Sequence, residues 1–311
     1  MALDAFLASR CRAWTHRHLL GMKDLSREEI LLVLSLAEEC ASLPGDIPLL
    51  RGCRLFNFFV EPSTRTKTSF SLAARRLGAE VIDFSPSTSS LAKGEGLKDT
   101  ARTIESMGVT FTVIRHGASG APWFLSRLVG SSVINAGDGS HEHPTQALLD
   151  LLTMKKRLGR VSGLKVALVG DIAHSRVARS NLWALQKLGN EVTLVGPPTL
   201  VPRDLGAPVT WDFDRALREH DVIMMLRLQT ERMQGGLFPS TAEYIRFFGL
   251  TRERLGLLRP GAILMHPGPM IRGLEISSEA ADSDRSVILH QVANGVLVRM
   301  AVLLLLSRAA R

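Results

Sequence analysis

The stretch Ser63-Thr64-Arg65-Thr66 sets three hydroxyls and a guanidinium within four residues. An apolar run from Leu55 to Val60 leads into Pro62 ahead of it, and Phe70, Leu72, Ala73 and Leu77 recur behind it at helical spacing. The pattern predicts a strand, a turn and a helix, with the hydroxyls beside the unbonded N–H groups of the first helical turn. That end of a helix carries partial positive charge, so a phosphate or another oxyanion suits it. Taken alone, the same residues also make an ordinary Ser/Thr cap beside a solvated arginine. The rest of the chain has to decide.

Other polar residues collect where further strands are expected to end. Arg115-His116-Gly117 follows one apolar run, and the segment from Asn135 to Gln146 follows the next. Further on come Gly170-Asp171 with His174-Ser175-Arg176, then Arg227-Leu228-Gln229, then His266-Pro267-Gly268-Pro269. Arg65, Arg115, Arg176 and Arg227 together would favour ligands with several negative charges. Each cluster has a plainer alternative. His141-Glu142-His143 lacks the spacing of a zinc helix because position 145 is Thr, and no metal is expected. Val169-Gly170-Asp171 lacks the later glycines of a dinucleotide fingerprint, and Gly137-Asp138-Gly139 reads as a turn.

The elements that must position these tips alternate. Residues 16–53 read as helical, with a capping box at Ser26-Arg27-Glu28-Glu29. Strands are then expected at 80–84, 110–115 and 132–135, with helices at 97–107, 122–129 and 144–157. After a boundary at 158–163, a second set has strands at 164–169, 191–195, 208–211, 221–226 and 262–265. Helices are expected at 175–188, 212–219, before 258, and at 291–308. Such alternation implies an α/β fold of two tandem doubly wound parallel-sheet domains, whose ligands bind at the carboxyl ends of strands. The first domain is expected over 1–148 with the C-terminal helix (290–311) packed back on it, and the second over 149–289.

Composition narrows the classes. At 311 residues, 45% apolar and 22% charged, the chain reads as soluble and globular. Three separated cysteines, Cys11, Cys40 and Cys53, argue against a disulfide framework. The net charge of +8 is dispersed, without the basic cluster that nucleic acid requires. No secretory pattern opens the sequence, and the apolar run Val296 to Leu306, broken by Arg299, falls short of a membrane span. A cytoplasmic enzyme is expected.

In order, these stretches resemble the carbamoyltransferase family: Phe58 to Thr66, Arg115-His116, Asn135 to Asp150, Val169 to Arg176, Arg227 to Gln229 and His266 to Pro269. The resemblance covers nearly the whole chain from about residue 15. It implies transfer of a carbamoyl group from carbamoyl phosphate to L-aspartate, in pyrimidine synthesis, without metal or cofactor. It implies that Ser63, Thr64, Arg65, Thr66 and Arg115 hold the phosphate, and that Thr66, Arg115 and His143 polarise the carbamoyl carbonyl. Gln146 and the carbonyls of Pro267 and Gly268 would fix the carbamoyl NH2, and Arg176, Arg227 and Gln229 the aspartate carboxylates. The loop Ser89 to Glu95 resembles one that reaches a neighbouring subunit's site, with Lys93 and Ser89 (or Ser90) as its contributors. This implies a homotrimer with shared sites, open to assembly with a regulatory chain or dihydroorotase. An ornithine-using member resembles H-C-L-P where this chain has His266-Pro267-Gly268-Pro269, and two arginines suit a dicarboxylate better than a diamine. Gly268 stands where the best-known bacterial pattern has leucine, and Arg272 is expected to replace an arginine that usually follows the second proline directly. The segment Gln229 to Leu250 is expected to close over aspartate.

Overall fold

The computed structural model describes residues 13–85, 94–229 and 240–309. Two compact units divide the chain: residues 1–148 with 294–311, and residues 149–293.

In the first unit, β1 (Arg54–Phe59), β2 (Glu80–Asp83), β3 (Phe111–His116) and β4 (Ser132–Asp138) form a parallel sheet in the order β2-β1-β3-β4. Helices α1 (Arg27–Ala41), α2 (Thr64–Arg76), α3 (Leu97–Glu105), α4 (Ala121–Ser126) and α5 (Pro144–Leu158) accompany it. Residues Leu55 to Phe59 are all buried, as a parallel strand covered on both faces requires. Phe84 packs edge to face on Phe56 and Phe58 in the core beside Ile114, Leu125 and Val133.

In the second unit, β5 (Lys165–Val169), β6 (Glu191–Val195), β7 (Val209–Thr210), β8 (Val222–Met225) and β9 (Ile263–Met265) are parallel in the order β7-β6-β5-β8-β9. The helices are α6 (Arg176–Lys187), α7 (Phe213–Glu219), α8 (Thr241–Phe248), α9 (Arg252–Leu255) and α10 (Ser278–Ala281). The last helix, α11 (Ile288–Ala309), returns to the first unit, where Arg299 lies 4.9 Å over the ring of Phe70.

Three expectations are corrected. Residues 16–26 and 42–53 are not helical: Leu19 is extended beside β4, donating to the Val133 carbonyl and accepting from Asn135 N–H, both at 2.9 Å, and the helix ends at Ala41. Leu72 does not enter the core and is 48% exposed. The buried stripe of α2 is Thr66, Ser69, Phe70, Ala73 and Ala74, and Leu72 lies about 130° around the helix from it. The C-terminal helix is also longer than expected. Its span Ile288–Ser307 is long and apolar enough to cross a membrane by length and composition, but 67% of that window is buried in the fold.

Candidate active site

Each sheet reverses its strand order once, and the Ser63 turn, Arg115, Arg176, Arg227 and Gln229 lie at the reversals. In the first unit the reversal falls between β1 and β3, so the Ser63 turn and Arg115 both emerge at the same carboxyl-end crevice. In the second unit it falls between β5 and β8, which carry Asp171 to Arg176 and Arg227 to Gln229 at their ends.

Ser63 stands at the N-cap of α2 in an extended conformation, but its hydroxyl makes no capping bond. The cap residues Ser26, Ser175, Asp212, Ser240, Thr251 and Ser277 all accept from the first turn of their own helices. The ordinary-cap alternative is therefore not realised at Ser63. Thr64 and Arg65 are exposed, whereas Thr66 is buried at 6% exposure.

Arg115 is held from two sides. One guanidinium nitrogen donates to the Ala136 carbonyl and another to Glu61 Oε1, both at 3.2 Å. These bonds fix the plane of the fork between the ends of β1 and β4. Glu61 was not among the expected site residues, although it sits inside the Phe58 to Thr66 stretch.

His143 and Gln146, at the start of α5, are buried at 4% and 8% exposure. The loop that delivers them is built around Asp138. Its carboxylate accepts from Gly120 N–H at 2.7 Å, Asn135 Nδ2 at 2.8 Å and Glu142 N–H at 3.1 Å, with His141 Nδ1 at 3.1 Å. Burial pushes the Asp138 carboxyl up, but the hydrogen bonds from His141, Asn135 and Gly120 outweigh it and leave the group below its ordinary range. The His-Glu-His run is thus dispersed: His141 turns to Asp138, and Glu142 accepts from the N–H groups of Met22 at 2.7 Å and Lys23 at 3.3 Å. Among the described residues, no three His, Cys, Asp or Glu side chains are grouped to hold a metal.

In the second unit Arg176 opens α6, buried at 6% exposure, and Arg227 and Gln229 are half-buried. Asp171 joins the two tips. Its Oδ1 accepts from His174 N–H at 3.2 Å and faces His174 Nδ1 at 2.8 Å, while Oδ2 accepts from Gln229 N–H at 3.3 Å. Gln229 returns a bond from Nε2 to the His174 carbonyl at 2.9 Å. Gly170 permits this approach: its φ is +121°, and a Cβ there would stand 3.0 Å from both the Leu226 carbonyl and the Tyr244 hydroxyl. Pro267 and Gly268 are half-buried after β9. Arg272 forms a forked ion pair with Asp282 at 2.6 and 2.7 Å, bracing its own loop. Ser89, Ser90 and Lys93 lie outside the described residues, as do Gly235 and Gly236 of the expected closing segment.

Comparison with known proteins accounts for both units. Residues 17–156 match the family model for the aspartate/ornithine carbamoyltransferase carbamoyl-P binding domain, and residues 162–306 match that for the Asp/Orn binding domain. The aspartate carbamoyltransferase catalytic subunit of Frankia casuarinae is 55% identical over 298 residues, covering 94% of each chain. That of Gluconobacter oxydans is 56% identical, covering 94% of this chain and 96% of its own. Among solved structures, the catalytic subunit of M. Jannaschii aspartate transcarbamoylase superposes with a TM-score of 0.84 at 36% identity, covering 94% and 98% of the two chains. Trypanosoma cruzi aspartate transcarbamoylase with carbamoyl aspartate and phosphate gives 0.82 at 32% identity, covering 92% and 94%. With matches across both halves, the chain belongs to the aspartate/ornithine carbamoyltransferase family.

Proposed function

We propose that this chain transfers the carbamoyl group of carbamoyl phosphate to the amino group of L-aspartate, releasing N-carbamoyl-L-aspartate and phosphate, in pyrimidine synthesis. The amine nitrogen attacks the carbamoyl carbon, the bond to the phosphate oxygen breaks, and the amine loses a proton. No enzyme nucleophile is needed. The protein must neutralise the phosphate, stabilise the oxyanion and align the amine. Ser63, Thr64, Arg65, Thr66 and Arg115 take the phosphate, while Thr66, Arg115 and His143 face the oxyanion. Gln146 and the carbonyls of Pro267 and Gly268 accept from the carbamoyl NH2, and Arg176, Arg227 and Gln229 hold the aspartate carboxylates. The observation that carries the reading is the uncapped start of α2 beside Arg115, which Glu61 and Ala136 hold at the β1/β3 reversal.

Aspartate is favoured over ornithine by Arg176 and Arg227, and by relatives at 53–56% identity that are aspartate carbamoyltransferase catalytic subunits. The active unit is a cytoplasmic homotrimer in which Lys93 and Ser89 (or Ser90) of one chain complete a neighbour's site. The test is ligand-linked stability with N-(phosphonacetyl)-L-aspartate, a compound bound in one Trypanosoma cruzi relative. A ligand held at a thousand times its Kd should stabilise the wild type by about 4 kcal/mol, and Arg115→Ala or Arg176→Ala should remove most of that. A wild type whose Tm does not move refutes the reading.

A further inference from the structure

The second unit contains a buried chain of hydrogen bonds to which the roles above give no task. His266, at the end of β9, is 1% exposed. The N–H of Gly268 donates to His266 Nδ1 at 2.8 Å. Because a backbone N–H only donates, Nδ1 is the acceptor and the ring hydrogen sits on Nε2, which is 3.2 Å from Glu275 Oε1. The same Oε1 accepts from Ile271 N–H at 2.5 Å. Glu275 is fully buried, and its Oε2 has no hydrogen-bond partner among the described residues. Such a carboxylate costs stability, and apolar replacements of buried charges are often neutral or stabilising. Its hydrogen bonds go to the two ends of one loop, 266–271.

That loop holds the proposed carbamoyl contacts, and its geometry explains why pinning one N–H matters. The Gly268 N–H and the Pro267 carbonyl belong to the same planar peptide group, where they point in opposite directions. An N–H fixed on His266 therefore aims the Pro267 carbonyl away from the imidazole. On its other side, His266 N–H donates to Gln291 Oε1 at 2.9 Å, Gln291 Nε2 to Asp150 Oδ1 at 2.7 Å, and Asn181 Nδ2 to Asp150 Oδ2 at 2.8 Å. Asn181 lies on α6, the helix that Arg176 opens.

We infer that His266, fixed in one tautomer by Glu275, is a positioning residue that aims the Pro267 carbonyl at the carbamoyl NH2, while its backbone N–H ties that loop to the helix carrying Arg176. The inference rests on the proposed function. In the test, His266→Gln reaches toward Glu275 and leaves Gly268 N–H without its acceptor. His266→Asn puts an oxygen near the place of Nδ1 and keeps that acceptor. We expect H266Q to lose about tenfold or more in kcat/KM for carbamoyl phosphate, the cost of a misaligned hydrogen bond, and H266N to lose less than about threefold. Inhibition by inorganic phosphate, which has no amide group, should stay within about twofold of wild type in both. Equal losses in the two variants, or parallel weakening of phosphate and carbamoyl phosphate, would overturn the inference. If H266Q does not fold, H266N carries the test: it retains an acceptor for Gly268, and a tenfold loss in it contradicts the assignment. A wild type that forms no carbamoyl aspartate refutes the proposed function instead, before any variant is measured.

Discussion

The guanidinium of Arg299 lies 4.9 Å over the ring of Phe70, and one of its nitrogens donates to Thr145 Oγ1 at 3.4 Å. One buried cation of α11 thus braces both α2, which carries Thr66, and α5, which carries Gln146. Cation–π attraction and the charged hydrogen bond act together in a dry setting. Arg299→Met, which keeps the apolar stem, should cost about 1–3 kcal/mol by urea unfolding, and Arg299→Ala more because it leaves a cavity. A loss below about 0.5 kcal/mol for the alanine variant would show that the contact braces nothing.

Asp138 makes a pH-dependent contribution whose sign is fixed. Its folded carboxyl titrates below the ordinary 3.8, so the unfolded chain holds the proton more tightly. The stabilisation is fully present above the unfolded value and is lost as pH falls through the folded one. Asp138→Asn should therefore destabilise by about 2–3 kcal/mol at pH 7, with the gap to wild type closing below about pH 4. A gap that is constant with pH would contradict the carboxylate's role in the loop that delivers His143.

Tyr244 is the only tyrosine in the chain, so phenolate absorbance reports on it alone. Burial, then the nearby charges of Glu275 and Asp171, push its phenol well above the usual range. A pH titration of the folded protein should show no phenolate up to pH ~10.5, with the signal appearing on denaturation at the same pH. Ordinary titration near pH ~10 in the folded state would place the hydroxyl in contact with water.

The shared-site proposal predicts complementation. Arg65→Ala and Lys93→Ala should each be inactive alone, and mixtures that exchange subunits should regain activity through hybrid trimers carrying one intact site. Mixtures as inactive as their parents, with exchange shown directly, would contradict a site built from two chains.

Much of this was legible in the sequence because the informative residues are local. Apolar runs bounded by polar tips defined both parallel sheets, and Ser63 to Thr66, Arg115 and Arg176 each sit within two or three residues of a strand end or a helix start. Partners distant in sequence could not be read. Glu142 binds Met22 across 120 positions and Gln291 binds Asp150 across 141, and nothing local marks either pair. Residues 16–26 misled because their apolar spacing suits a helix, while Leu19 pairs with β4 and the N–H groups of Met22 and Lys23 go to Glu142. Leu72 misled for the opposite reason: its type suits a core, but its angle around α2 does not. Arg299 appeared only as an interruption of an apolar run, and the structure gives that interruption its purpose.

The most direct test is carbamoyl transfer from carbamoyl phosphate by the purified chain alone, with L-aspartate in one reaction and L-ornithine in a parallel one. The account predicts N-carbamoyl-L-aspartate and an equal amount of phosphate in the first, and no product in the second. Turnover of ornithine without aspartate would contradict the assignment of Arg176 and Arg227 to a dicarboxylate.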